Sequence, residues 1–157
     1  MSLTSDEKLF ELFENASIAD NIDEIIIRSL NIKKSVVEQD ERESGLRKVL
    51  NFGHTIGHGI ESSAGMASLY HGECVALGML HLASPEVRER LIPLLKKAGL
   101  PTTSDLSPDA VLAPIVHDKK ADGASIRYIY VERIGSFEER CDTIADFIAK
   151  RKEEWPR

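Results

Sequence analysis

The chain has 157 residues, a formal net charge of -6, and 42% hydrophobic against 29% charged residues, which suits one domain with a core of its own. The negative balance excludes a basic nucleic-acid-binding face as the main working surface, and aromatics at only 6% leave the core to aliphatic side chains. The longest apolar run, residues 74–82, is interrupted by Gly78 and His81 and is too short to span a bilayer; with no basic-then-apolar leader, and with Cys74 and Cys141 read as reduced thiols, the expected location is the cytoplasm.

In chain order, Met1-Ser2-Leu3 reads as a cloning scar and residues 4–157 as a single, mainly α-helical domain. Ser5 is placed to cap a first helix with Asp6 and Glu7 in its first turn, and Leu9, Leu12 and Phe13 follow at helical spacing. A second helix starts between Asp20 and Asp23 and carries Ile22, Ile26, Leu30, Lys33 and Val37 on one stripe. A charged stretch and Gly45 separate it from a third helix over about residues 46–61, followed by a loop over 62–67. A fourth, apolar helix covers about residues 72–82. Ser84-Pro85-Glu86 is an N-cap with proline at the first helical position, and the fifth helix that it opens stops at Gly99-Leu100-Pro101. Ser107-Pro108-Asp109 repeats that start signal for a sixth helix. Asp122-Gly123 predicts a turn, and residues 126–131 a strand, giving one short strand or hairpin near residues 125–133. Residues 137–150 are predicted to close the chain as an amphipathic helix.

The chemistry concentrates in the third helix. Arg47, Asn51, His54 and His58 are four, three and four residues apart, which places them on one helical face. Arg, Asn and two His make a poor core stripe and a good lining for a polar site. Two imidazoles one turn apart can share a metal, or one can bind metal while the other meets a ligand; two ordinary helix histidines are the bland alternative. Gly53, Gly57 and Gly59 lie among them, each costing about 1 kcal/mol of helix stability against alanine. Close approach of another backbone or of a substrate is the expected compensation. His71, in His71-Gly72-Glu73, lies across the loop, either as a surface histidine or converging with His54. Lys33 either snorkels along an exposed edge or aims an ammonium into an anionic pocket. Lys119 and Lys120 add positive charge before the strand, as solvated surface or as substrate contacts.

The run Arg47-Lys48-Val49-Leu50-Asn51-Phe52-Gly53-His54-Thr55-Ile56-Gly57-His58, with His71-Gly72-Glu73 and Val75-Ala76-Leu77-Gly78-Met79 after it, resembles 3-dehydroquinate synthase. The likeness reaches back through Lys33 and Glu43 and forward to Asp118-Lys119-Lys120 and Arg133-Ile134-Gly135. It implies the C-terminal helical domain of that family, without the N-terminal NAD-binding α/β domain; no glycine-rich dinucleotide fingerprint is present here. It implies a lyase of the shikimate pathway of aromatic amino-acid biosynthesis. That enzyme converts a seven-carbon keto-acid sugar phosphate (DAHP) into 3-dehydroquinate and phosphate with NAD and zinc or another divalent metal. By position, His54 and His71 match two zinc ligands. Arg47, Asn51, His58 and Lys33 match residues that bind substrate carboxylate, phosphate and hydroxyls. Glu43 resembles a supporting acid, and Lys119 or Lys120 a substrate contact. The residue types suit these roles: Arg for a bidentate carboxylate, Lys for phosphate as a point charge, His58 for proton transfer during elimination.

Two departures stand out. The family's third zinc ligand is a glutamate just upstream of where this chain begins, so the fragment is expected to be inactive alone and to hold metal weakly. The stretch after Met79 is also shorter than in the family. A related sugar-phosphate cyclase, or a non-catalytic helical binding module, remains an alternative; Arg47 favours a carboxylate substrate over a neutral sugar phosphate. The expected partners are that substrate, the NAD-binding domain of the parent and a second copy of the chain, with no nucleic acid and no membrane.

Overall fold

The computed structural model describes residues 1–42, 45–64, 69–120 and 125–155, excepting the side chains of 118–120. Its first helix, α1 (Ser2–Ser5), is a single turn, so Ser5 is already helical and cannot cap the next helix. Asp6 caps α2 (Glu7–Asn15) instead: its backbone is extended and its carboxylate accepts the Leu9 N–H at 2.9 Å. The same carboxylate meets the Arg28 guanidinium of α3 (Ile22–Gln39) at 2.7 Å, tying the two helices together. Burial opposes ionisation of Asp6, but the hydrogen bonds from Arg28 and from Leu9 outweigh it and hold the carboxyl below its usual range.

Helix α3 starts where its sequence predicts but buries a different face. Ile25 and Val36 are its buried residues, while Ile22, Ile26 and Leu30 of the expected stripe are 45, 48 and 59% exposed. The third helix is also not continuous. Residues Leu46–Asn51 form a tight 3-10 segment, the chain turns at Phe52-Gly53 with Gly53 at φ +84°, and α4 (His54–Ala64) starts afresh. The left-handed Gly53 cannot sit inside an α-helix, so the four-three-four spacing from Arg47 does not run along one helical face.

Helix α4 packs on α5 (His71–His81) backbone to backbone. A Cβ at Gly57 would sit 3.1 Å from Cys74 O and Val75 Cα, and one at Gly78 would overlap Gly53 O. Gly59 is pressed likewise against Val111 O of α7 (Pro108–Lys120). The glycines therefore admit neighbouring backbone, as their helical cost suggested. Between α5 and α7, Ser84 accepts the Val87 N–H to cap α6 (Pro85–Lys97), which carries proline at its start and ends before the left-handed Gly99.

Strand β1 (Ser125–Tyr130) lies where expected. The segment predicted as the start of a closing helix is instead β2 (Glu138–Thr143), antiparallel to β1, with Tyr128 opposite Arg140; only then does α8 (Ile144–Glu153) begin, capped by Thr143. The predicted turn at Asp122-Gly123 lies outside the described residues. Just past β1, Val131 bonds to Leu82 and Ser84 at 3.0 Å each, stapling the hairpin to the connection between α5 and α6. The core gathers Phe10, Ile56, Ile60, Leu80, Ile126 and Phe147. Arg151 of α8 is buried and donates to the carbonyl of His81 at the end of α5. His81 stacks on Trp155, ring centroids 4.0 Å apart; burial, with Arg88 and Arg151 nearby, pushes its pKa down to about 3. Cys74 is buried, Cys141 exposed, and both are free thiols. Among the described residues no helix is long and apolar enough to cross a membrane.

Candidate functional site

The α4–α5 seam decides where the imidazoles meet. His54 is the first residue of α4 and His71 the first of α5. The glycine contacts set the two helices antiparallel, Gly53 against Gly78 and Gly57 against Cys74 and Val75, so that His71 comes level with His58 and Glu61 and its ring meets that of His54. His58 follows His54 by one turn. The ring centroids form a near-equilateral triangle: 5.7 Å from His54 to His58, and 5.5 Å from each of them to His71. His54 Nδ1 faces Phe52 O at 3.3 Å. A carbonyl can only accept, so the bond places the proton on Nδ1 and leaves the Nε2 lone pair available.

Glu61 completes the cluster. Its Oε2 lies 3.3 Å from His58 Nδ1 and 3.1 Å from His71 Nδ1. Hydrogen bonds from His71 and then His58 hold the carboxyl below its usual range. One donor atom from each of His58, Glu61 and His71 falls within 4.8 Å of the others. Imidazole nitrogens beside a carboxylate are the donor chemistry that zinc and other first-row divalent ions prefer, so the residues present fit such a metal.

Beside the imidazoles opens a cleft of about 690 Å³, lined by Asn51, His54 and His58 on one side and by Arg127 and Glu139 of the hairpin on the other. Lys48 reaches across from the 3-10 segment to Glu139 at 2.9 Å, and Arg127 stands 4.0 Å from the same carboxylate. Two cations on one carboxylate leave this wall net positive, which suits an anionic ligand.

Of the residues singled out in the sequence, His54, His58, His71 and Asn51 come together here. Arg47 does not line the cleft: its guanidinium donates to Glu41 O at 3.1 Å and its backbone N–H to Asp40 Oδ2 at 2.9 Å. The turn at Gly53 rotates it away from the imidazoles. Lys33 is exposed on α3, outside the cleft. Glu43 lies outside the described residues, as do the side chains of Lys119 and Lys120, whose backbone ends α7. Sequence reasoning passed over Glu61, although it stands three residues after His58 and seven after His54, on the same helical face. Lys48, Arg127 and Glu139 carry no local signal; only the hairpin brings them in.

Residues 1–121 match the family model described as 3-dehydroquinate synthase C-terminal. A 3-dehydroquinate synthase of Streptococcus thermophilus is 39% identical over 150 residues, covering 85% of this chain and 42% of that protein. One of Enterococcus faecalis is 40% identical over 138 residues, covering 82% and 38%. The chain therefore spans about two fifths of the length of these curated relatives. Among solved structures, a 2-epi-5-epi-valiolone synthase of Streptomyces hygroscopicus with NAD+ and Zn2+ bound superposes with a TM-score of 0.75 at 20% identity, over 97% of this chain and 48% of that one. A 2-deoxy-scyllo-inosose synthase complexed with carbaglucose-6-phosphate, NAD+ and Co2+ gives 0.68 at 22% identity, over 88% and 42%. At these identities the structural likeness speaks for the fold alone.

Proposed function

Since the chain belongs to the 3-dehydroquinate synthase C-terminal family, we propose that it supplies the metal- and anion-binding half of a 3-dehydroquinate synthase. The whole enzyme would be an NAD- and zinc-dependent lyase of the shikimate pathway, acting in the cytoplasm on DAHP and releasing phosphate. The observation that carries this reading is the convergence of His71 with His54 and His58, the last two of which line a cleft together with Asn51.

In this reading His54, through its free Nε2, and His71 hold a divalent ion. When bound, that ion polarises the substrate oxygen from which hydride leaves. Asn51 donates hydrogen bonds to phosphate or hydroxyl oxygens in the cleft. His58, exposed beside them, moves a proton as phosphate departs. Arg47 and Lys33, which stand outside the cleft in this structure, are assigned to the carboxylate and phosphate charges by the family resemblance, with Glu43 and one of Lys119 and Lys120 as further substrate contacts. NAD is held mainly by an N-terminal domain of the kind that the longer relatives have room for. This chain alone is inactive, and it pairs with that domain and with a second copy of itself.

The relatives at 39 and 40% identity favour dehydroquinate over the valiolone or inosose ring of the solved structures at 20 and 22%. The test is calorimetric titration of this chain with zinc and then with DAHP. One zinc is expected to bind, His54→Ala and His71→Ala are expected to abolish it, and Arg47→Ala is expected to weaken DAHP binding. Zinc binding unchanged in both histidine variants would overturn the metal assignment. Dehydroquinate formed by this chain alone with NAD and zinc would overturn the half-site reading.

A further inference from the structure

The geometry points to Glu61 as a positioning residue: one carboxylate oxygen holds the Nδ1–H of both His58 and His71, turning the Nε2 of each toward metal and substrate. The inference rests on the cyclase-site reading above, and nothing in that reading assigns Glu61 a part.

The starting point is the shared oxygen. Glu61 Oε2 stands 3.1 Å from His71 Nδ1 and 3.3 Å from His58 Nδ1, both hydrogen-bond lengths. An ionised carboxylate only accepts, so each imidazole must carry its proton on Nδ1 to make the bond. Neutral imidazole has a single N–H, and the lone pair then resides on Nε2 in both rings. The Phe52 carbonyl imposes the same tautomer on His54. All three imidazoles of the triangle are therefore held by Nδ1 and left with Nε2 to donate. Direct ligation by His58, Glu61 and His71, whose donor atoms lie within 4.8 Å of one another, would instead leave out His54, which is not in that cluster.

Energetics say what the carboxylate is for. The side chains of His58, Glu61 and His71 are 61, 42 and 50% exposed, and hydrogen-bonded pairs so open to water add little to fold stability. What Glu61 sets is ring orientation and tautomer, the service that carboxylates next to metal-binding histidines commonly perform. It also links the imidazole assigned to the metal with the one assigned to the proton.

The test uses this 157-residue chain. Glu61→Gln keeps shape and one neutral acceptor; Glu61→Leu removes every acceptor. Circular dichroism should match wild type for both, because the side chain is exposed. Zinc titration should show affinity falling about 10- to 100-fold in Glu61→Leu, with Glu61→Gln between it and wild type. Nitrogen-15 NMR of the imidazoles should show His58 and His71 with the proton on Nδ1 in wild type and a mixture with the Nε2-protonated form in Glu61→Leu, while His54 stays as it was. Wild-type affinity together with unchanged tautomers in Glu61→Leu would overturn the inference. Loss of zinc in Glu61→Gln as complete as in His71→Ala would also overturn it, making Glu61 a direct ligand. Failure of the cyclase-site reading looks different: zinc binding would then persist in His54→Ala and His71→Ala whatever Glu61 does.

Discussion

Helices α3 and α4 both carry isoleucines at helical spacing. In α4, Ile56 and Ile60 are fully buried, whereas in α3 Ile26 and Ile27 are 48 and 58% exposed. The difference lies less in the apolar residues than in what stands between them. In α4, Gly57 and Gly59 let α5 and α7 approach until backbone meets backbone. Helix α3 has no glycine; it buries only Ile25 and Val36 among its apolar residues, packs on the Leu46–Asn51 segment, and is tied to α2 through the ion pair of Arg28 with Asp6. An apolar stripe thus identifies a helix without saying which face another element will cover, and close approach needs small residues placed against the neighbour's backbone.

The largest expected effect comes from closing the seam. Gly78→Ala would drive a Cβ into Gly53 O, and destabilisation of about 3 kcal/mol is expected in denaturant unfolding. Zinc affinity should fall with it as His54 and His71 part. A loss well under about 1 kcal/mol would mean that α5 slides freely on α4, and the comparison with α3 would lose its basis.

The buried His81 gives the C-terminal end of α5 a pH signature. Its folded pKa of about 3 lies below the ordinary 6.5, so the unfolded chain takes up a proton that the native state refuses. Its contribution to stability is full above about pH 6.5 and is lost steadily as pH falls toward 3. His81→Gln should flatten that part of the unfolding-versus-pH curve. An unchanged slope would show that His81 is protonated in place, with Trp155 and Arg151 moving aside.

Asp6→Ala removes both the α2 cap and the partner of Arg28, and a loss of about 1–2 kcal/mol is expected in thermal unfolding at neutral pH. Because the folded pKa of Asp6 is depressed below 3.8, its contribution is present above that value and vanishes as pH falls through the lower folded value. Wild type and variant should therefore converge in acid. A gap that persists in strong acid would assign the effect to packing and not to charge.

The smallest effect is expected on α3. Leu30 is 59% exposed, so Leu30→Ser should change stability by less than about 0.5 kcal/mol. A larger drop, with a change in sedimentation, would show that this face is covered in solution, and α3 would then resemble α4 more than its exposure suggests.

Much of the local structure was legible in the residues themselves. Ser84-Pro85 and Ser107-Pro108 start helices, and Gly99 stops one, because a cap or a breaker acts within a single turn. The polar set Arg47, Asn51, His54 and His58 stood out because such residues make no core. Other features were decided elsewhere in the chain. Nothing in Glu138–Thr143 favours a strand by itself; pairing with β1, and Arg140 lying 3.6 Å over the Tyr130 ring, makes it one. The break at Gly53, which turns Arg47 away from the imidazoles, accompanies the backbone contact with α5. The facing wall of the cleft joins Lys48 to Glu139 across 91 residues. By itself, then, the sequence determined caps, helical periods and the identity of the polar residues, since those rest on interactions within a few residues. Which faces are buried, which side chains share the cleft and what orients each imidazole were decided only by tertiary structure, because distant backbone had first to arrive.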